Sequence, residues 1–168
     1  MNAPSYRDPK ADPLTLLTVT GATHNEARRT DLSVREIDFV IDEAVARGGT
    51  DLGPAPPEAV LGALIGCMNN IGRRIAEAEG VAVTALSFRA EADFDRRGVW
   101  LEAEIDRPIP TVRLWAEMTA DGPDTGIVRV RDKTSRHCAI AVMLRAAGAE
   151  LIENWTIIRT DGAPFAAR

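Results

Sequence analysis

The chain is poor in the side chains that most often carry chemistry. Its 168 residues include two cysteines and two histidines, too few for a disulfide-stapled scaffold. The histidines, His24 and His137, have no cysteine or carboxylate cluster at ligand spacing beside them, so no metal site is expected. Positive charge is not in excess: 25 acidic residues against 20 basic ones give a net charge of −5. That balance excludes the broad basic surface that nucleic acid or an anionic membrane would need. No apolar run approaches the ~20 residues of a membrane span, and "MNAPSYRDPKADP" puts Pro, Asp and Lys where a secretory signal needs an apolar region. A phosphate loop is missing as well, since "GGTDLG" lacks both the spacing and the lysine that follows. These absences lead to the expectation of a cytoplasmic protein with no nucleic-acid or membrane partner.

What is present is ordinary for a globular protein: 45% apolar and 27% charged residues. A chain of this length fits one domain, expected here over residues 1–168 with 1–13 as a flexible start, and such a domain buries about 70% of its unfolded surface without covalent staples. Cys67 and Cys138 are far apart in the sequence. In a reducing compartment such a pair is either two unrelated free thiols or a transient redox couple.

Hydrophobic periodicity divides the chain. "LTLLTVTGAT" (14–23) and "TDLSVREIDFVID" (30–42) read as antiparallel strands, and the Gly- and Pro-rich "EAVARGGTDLGPAPP" reads as a loop. From Pro57, apolar residues recur at three- and four-residue intervals through Val60, Leu64, Met68, Ile71 and Ile75, predicting a long, largely buried helix that stops near Gly80. "VAVTALSFRAEADFD", "GVWLEAEID" and "PTVRLWAEMTAD" read as a meander of half-exposed strands. In the third of these, Val112, Leu114 and Ala116 lie opposite Arg113, Trp115 and Glu117. "GPDTGIVRVRDKTSRHC" suits either a strand or a helical turn. A second helix is expected from about Ser135 to Gly148, capped by Thr134 or Ser135, and "AELIENWTIIR" closes the chain as a strand. The order strands, helix, strands, helix, strand is α+β. Trp100, Trp115 and Trp155 are expected on strands, covering the helices or lining an apolar pocket.

The two cysteines differ in setting. With Ser135 as cap, Cys138 falls in the first turn of the second helix, where free N–H groups and the helix dipole favour a thiolate, so local sequence makes it the more acidic. Cys67 lies at the edge of the long helix's apolar stripe. That position suits a small buried hydrophobe, or a reactive thiol if another element brings an arginine to it. Arg74 shares its face two turns further on, at ~10 Å of axial rise.

"GGTDLGPAPPEAVLGALIGCMNNI" resembles the segment of the OsmC/Ohr family in which a Gly-rich loop, a Gly-Pro-x-Pro turn and a glutamate precede a long helix carrying Ala-Leu-x-Gly-Cys. "HCAIAVMLRAAGAELIENWTI" is similar to that family's second cysteine segment, where Cys-Pro-Val is usual and Cys138-Ala139-Ile140 stands here. The resemblance spans about residues 31–158. It implies antiparallel sheets wrapped around two central helices in an intertwined homodimer, with no metal or organic cofactor. It further implies a thiol-dependent peroxidase in which Cys67 attacks a small organic hydroperoxide, Cys138 resolves the product to a disulfide, and an external dithiol reduces it. The family's activating pair is an arginine from the N-terminal strands, for which Arg28, Arg29 and Arg35 are candidates, and a glutamate ten positions before the first cysteine. Here that position holds Pro57, and Glu58, nine before Cys67, falls on the opposite side of a straight helix. The alternative is a non-catalytic dimer of the same fold that binds a small apolar ligand.

Overall fold

The computed structural model of the protein describes residues 14–23 and 28–165. The segment 1–13, expected to be flexible, and His24 lie outside them. The elements run β1 (Thr20–Thr23), β2 (Thr30–Val34), β3 (Ile37–Ile41), a short 3₁₀ turn (Val45–Arg47), α1 (Pro56–Ala78), β4 (Ala82–Asp93), β5 (Thr111–Asp121), α2 (Asp124–His137), α3 (Ala139–Ala146) and β6 (Glu150–Ile158). This is the α+β class read from the sequence. The chain forms two compact units, one up to Ala59 and one from Val60 onward.

In the first unit, β1, β2 and β3 make a three-stranded antiparallel sheet in sequence order. The stretch 30–42 is a hairpin rather than a single strand, because Arg35 takes a left-handed φ of 56° and the register closes on Val34 opposite Ile37. Residues 14–19, expected to extend the first strand, form no ladder. The loop after β3 is organised by Asp42, which is fully buried. Its carboxylate accepts the backbone N–H of Glu43 at 2.8 Å, of Thr50 at 3.1 Å and of Leu52 at 3.1 Å, and the Thr50 hydroxyl at 2.6 Å. Burial alone would raise the Asp42 pKa, yet the hydrogen bonds from Thr50, Leu52 and Glu43 outweigh it and hold the group well below the usual carboxylate range. Gly49 is required where this loop folds back: a Cβ there would lie 1.8 Å from the Glu43 carbonyl oxygen.

The second unit contains the sheet β4-β5-β6. β4 and β5 pair antiparallel, whereas β5 and β6 run parallel, which demands a crossover that α2 and α3 supply. Along α1, Leu64, Met68, Gly72 and Ala76 recur every four residues and are all buried. They face the alternating buried positions Val112, Leu114, Ala116, Met118 and Ala120 of β5, together with Ala141 and Leu144 of α3, across two apolar clusters. Each fully buried Leu or Met contributes on the order of 1.5–3 kcal/mol relative to exposure. α1 ends as expected at Gly80, whose φ of 67° suits the left-handed backbone of a helix stop. No helix among the described residues is long and apolar enough to cross a membrane.

Several expectations change here. A bulge between Val83 and Ala85 shifts the inward parity of β4 from Val83 to Leu86, Phe88, Ala90 and Ala92. Ala85, which strict alternation from Val83 would turn inward, is therefore exposed. "GVWLEAEID" is not a strand. Asp95 accepts the backbone N–H of Arg97 at 3.1 Å and its guanidinium at 2.6 Å, and the next residues close turns onto Arg96 and Arg97. Leu101 adopts a φ of 61°, which no ladder accommodates. The ambiguous segment before Cys138 is the helix α2. Of the three tryptophans, only Trp155 packs on the core, edge-on to Phe88 at 5.9 Å. Trp115 lies on the outer face of β5 beneath the Arg89 guanidinium, and Trp100 sits in the turn beside Arg96.

Candidate active site

α1 delivers Cys67 to the edge of its buried stripe, between the fully buried Leu64 and Met68 and one turn before Ile71. The side chain is half-buried, and its thiol is free.

Cys138 is placed by a break in the backbone. The expected helix beginning at Ser135 is two helices, and Cys138 stands between them with φ −71° and ψ 114°. Its own N–H closes α2 by donating to the Thr134 carbonyl at 3.0 Å, and its carbonyl opens α3 by accepting from Val142 at 3.0 Å. Cys138 is therefore the N-cap of α3, not a first-turn residue, and its Sγ accepts the Ala141 N–H at 3.4 Å.

The expectation that Cys138 is the more acidic thiol is not met. The residue is fully buried, and burial, reinforced by the neighbouring Cys67 thiol, pushes its pKa up to about 11. The N–H groups of Ala141 and Ile140 pull the other way without offsetting this. The dipole argument had the right sign but assumed a solvated helix end, and removal from water outweighs one turn of N–H groups.

The two cysteines named from the sequence are thus brought into one apolar cluster as free thiols, Cys138 buried within it and Cys67 packed half-buried against it. The other residues singled out have local roles. Glu58 accepts the Ala55 N–H at 2.8 Å and so caps the start of α1, which opens at Pro56 with Pro57 next. Arg28 is exposed and donates its N–H to the Gly48 carbonyl at 3.0 Å. Arg29 pairs with Asp31 at 2.6 Å, and Arg35 forms the exposed β2–β3 turn. His137 is exposed at the end of α2. Among the described residues no three His, Cys, Asp or Glu side chains gather into a metal site.

One residue next to the pair was not found from the sequence. Arg145, in the last turn of α3, reaches back to the end of α2 and donates to the Ser135 carbonyl at 3.1 Å and the Ser135 Oγ at 2.9 Å. Glu153 of β6 holds the same guanidinium at 2.8 Å and accepts the Trp155 indole N–H at 3.4 Å. The signal available was a basic residue at a helix C-terminus, which by itself says nothing of a second helix end nearby.

An α+β core thus holds two free thiols, one inside the long helix and one capping the last. A family profile described as OsmC-like protein matches residues 48–152, and the chain belongs to that family. Its fold is similar to that of an OsmC-like protein from Mycoplasma pneumoniae, with a TM-score of 0.70 at 15% identity over 85% of this chain and 97% of the other. An organic hydroperoxide resistance protein from Elizabethkingia anophelis aligns with a TM-score of 0.61 at 12% identity over 84% and 96% of the two chains. The organic hydroperoxide resistance protein OhrB of Bacillus subtilis aligns with 0.53 at 12% identity over 83% and 97%. At these identities the likeness concerns the fold. A search among curated protein sequences finds no significant match.

Proposed function

We propose that the protein is a thiol-dependent peroxidase that reduces small organic hydroperoxides with Cys67 and Cys138. The observation that carries this reading is the gathering of two free thiols, far apart in the chain, into one apolar cluster. Cys138, held at about 11, keeps its proton at neutral pH, and Cys67 is the more exposed thiol, the one a hydroperoxide would meet first. The Cys67 thiolate attacks the O–O bond. Its sulfur gains the terminal oxygen as a sulfenic acid, and the alkoxide leaves and takes a proton from water to become the alcohol. The Cys138 thiol then attacks the sulfenic sulfur, an S–S bond forms, and one water is released. The negative charge that develops on Cys138 Sγ during this step faces the Ala141 N–H at the head of α3. An external dithiol reduces the disulfide by two-step thiol exchange and restores both thiols.

In this reading the protein acts in the cytoplasm as a homodimer. Support for a second copy as partner comes from apolar side chains that each unit leaves open: Ile37 and Phe39 of β3 are 52% and 40% exposed. On α1, Gly62 and Gly66 have no neighbour within 4 Å of a would-be Cβ.

The test is a thiol count. One equivalent of cumene hydroperoxide should remove both free thiols per chain and leave a Cys67–Cys138 disulfide, mapped by non-reducing peptide mass spectrometry. Cys138→Ala should stop at a trappable sulfenic acid, and Cys67→Ala should not react. If both thiols still couple to a maleimide in denaturant after that treatment, the proposal is wrong.

A further inference from the structure

The helix breaks at Cys138, where the cluster shared with Cys67 is built, and nothing in the local sequence demands that break. A proline at position 139 would demand it, since the residue before proline is pushed out of the helical region and proline itself fits the first position of a helix. Position 139 is alanine, the strongest helix former, within the run "TSRHCAIAVML", which contains neither Gly nor Pro. Because φ of Cys138 is already helical at −71°, a continuous helix through 138 would carry α3 onward along the α2 axis and pull Ala141 and Leu144 out of the cluster they share with Cys138 and Cys67. Something beyond the local chain holds ψ of Cys138 at 114°.

The end of α2 shows what does. Of its last carbonyls, that of Thr134 is taken by the Cys138 N–H at 3.0 Å. In an unbroken helix the Ser135 carbonyl would accept the N–H of residue 139. Here it accepts the Arg145 guanidinium at 3.1 Å instead, while the same side chain takes the Ser135 hydroxyl at 2.9 Å. Ser135 is 4% exposed, so its carbonyl needs a partner, and Arg145 supplies one that is compatible only with the broken chain. Glu153 fixes the guanidinium from β6 at 2.8 Å, anchoring the fork to the sheet that also carries Trp155.

We infer that Arg145 is a positioning residue: by capping the Ser135 carbonyl it imposes the α2–α3 break and keeps Cys138 and α3 in the cluster they share with Cys67, the task that a proline at 139 would otherwise perform. The inference concerns the geometry of the pair, and its use in catalysis rests on the peroxidase reading above.

The experiment measures closure of the pair without peroxide. Diamide accepts two electrons and two protons from the two thiols, leaving the Cys67–Cys138 disulfide and the corresponding hydrazine, and the rate is followed by quenched thiol counting on full-length protein. Arg145→Met should close at least ~10-fold more slowly than wild type, and adding Ala139→Pro to it should restore the rate to within ~3-fold. A merely structural loss would not be repaired by a proline six residues away. If Arg145→Met is insoluble, Arg145→Lys serves: it can keep the pair with Glu153 but cannot bridge the Ser135 carbonyl and Oγ together, and it should show the same slowing and rescue. Wild-type closure in a folded Arg145 variant, or slow closure that Ala139→Pro leaves unchanged, overturns the inference. Normal diamide closure in a wild-type protein that ignores cumene hydroperoxide would overturn the peroxidase reading alone.

Discussion

The contrast between the two thiols can be measured directly by site-resolved alkylation. At pH 8 a thiol with a pKa of about 11 is ionised in about one molecule per thousand, whereas one at the ordinary value of 9.0 is ionised in about one per ten. Since the thiolate is the reacting species, Cys138 in the folded protein should react with iodoacetamide about 100-fold more slowly than in the urea-unfolded chain, and burial adds the cost of local opening. Cys67, half-exposed, should be labelled first. The assay is a timed iodoacetamide pulse, quenched and digested, with the two cysteine peptides quantified by mass spectrometry. Between pH 8 and 10 the Cys138 rate should climb about tenfold per unit with no plateau. Because burial is the leading cause of the shift and the neighbouring Cys67 thiol comes second, Cys67→Ala should speed Cys138 only in part. Labelling of Cys138 in native protein as fast as Cys67, or within tenfold of its unfolded rate, would refute the reasoning about the pair.

Two further outcomes follow from linkage. The folded-state pKa of Cys138 lies above its ordinary value, so its contribution to stability is complete below pH 9 and is lost as pH rises toward 11. Urea unfolding of wild type minus Cys138→Ala should be flat below pH 9 and fall by about 2–3 kcal/mol across that window, and a flat difference to pH 11 would contradict the burial account. Asp42 has the opposite sign: its pKa is depressed, so its hydrogen bonds stabilise the 42–55 loop at neutral pH and weaken as pH falls below the usual carboxylate value. Hydrogen exchange should show the Thr50 and Leu52 amides protected at pH 7 and losing protection in acid or in Asp42→Asn, while unchanged protection in that variant would show that the loop is held otherwise.

How much of this was legible in the sequence depends on the range of the interaction involved. α1 was read almost to the residue because its signal is local and redundant: a first-turn proline, a four-residue apolar repeat and a glycine stop all agree. The alternation of Val112, Leu114 and Ala116 against Arg113, Trp115 and Glu117 was likewise read correctly, although the Trp115 it placed on the outer face was still expected to cover the helices. α2 was ambiguous by composition, since Val and Ile favour strands. Yet its buried positions Ile127, Val130 and Thr134 recur at helical intervals, and reading the period ahead of the residue types would have settled it. The bulge in β4 and the turns after Asp95 depend on single backbone irregularities that alternation cannot reveal.

The thiol pair is the instructive case, because each cysteine's helix was visible while their meeting was not a local property. Leu64 and Met68 flank Cys67 on α1, Ala141 and Leu144 follow Cys138 on α3, and all four share one buried cluster with Val112 and Leu114 of β5. The central strand is thus the common template against which both helices pack, and that packing gathers the two cysteines into one cluster. The same packing removes Cys138 from water, so the arrangement that makes a disulfide accessible also reverses the acidity that the local sequence suggests. Proximity and protonation have one cause here: a substitution that loosens α3 from β5 should separate the sulfurs and lower the Cys138 pKa together, whereas one that merely removes Cys67 should leave most of the shift in place.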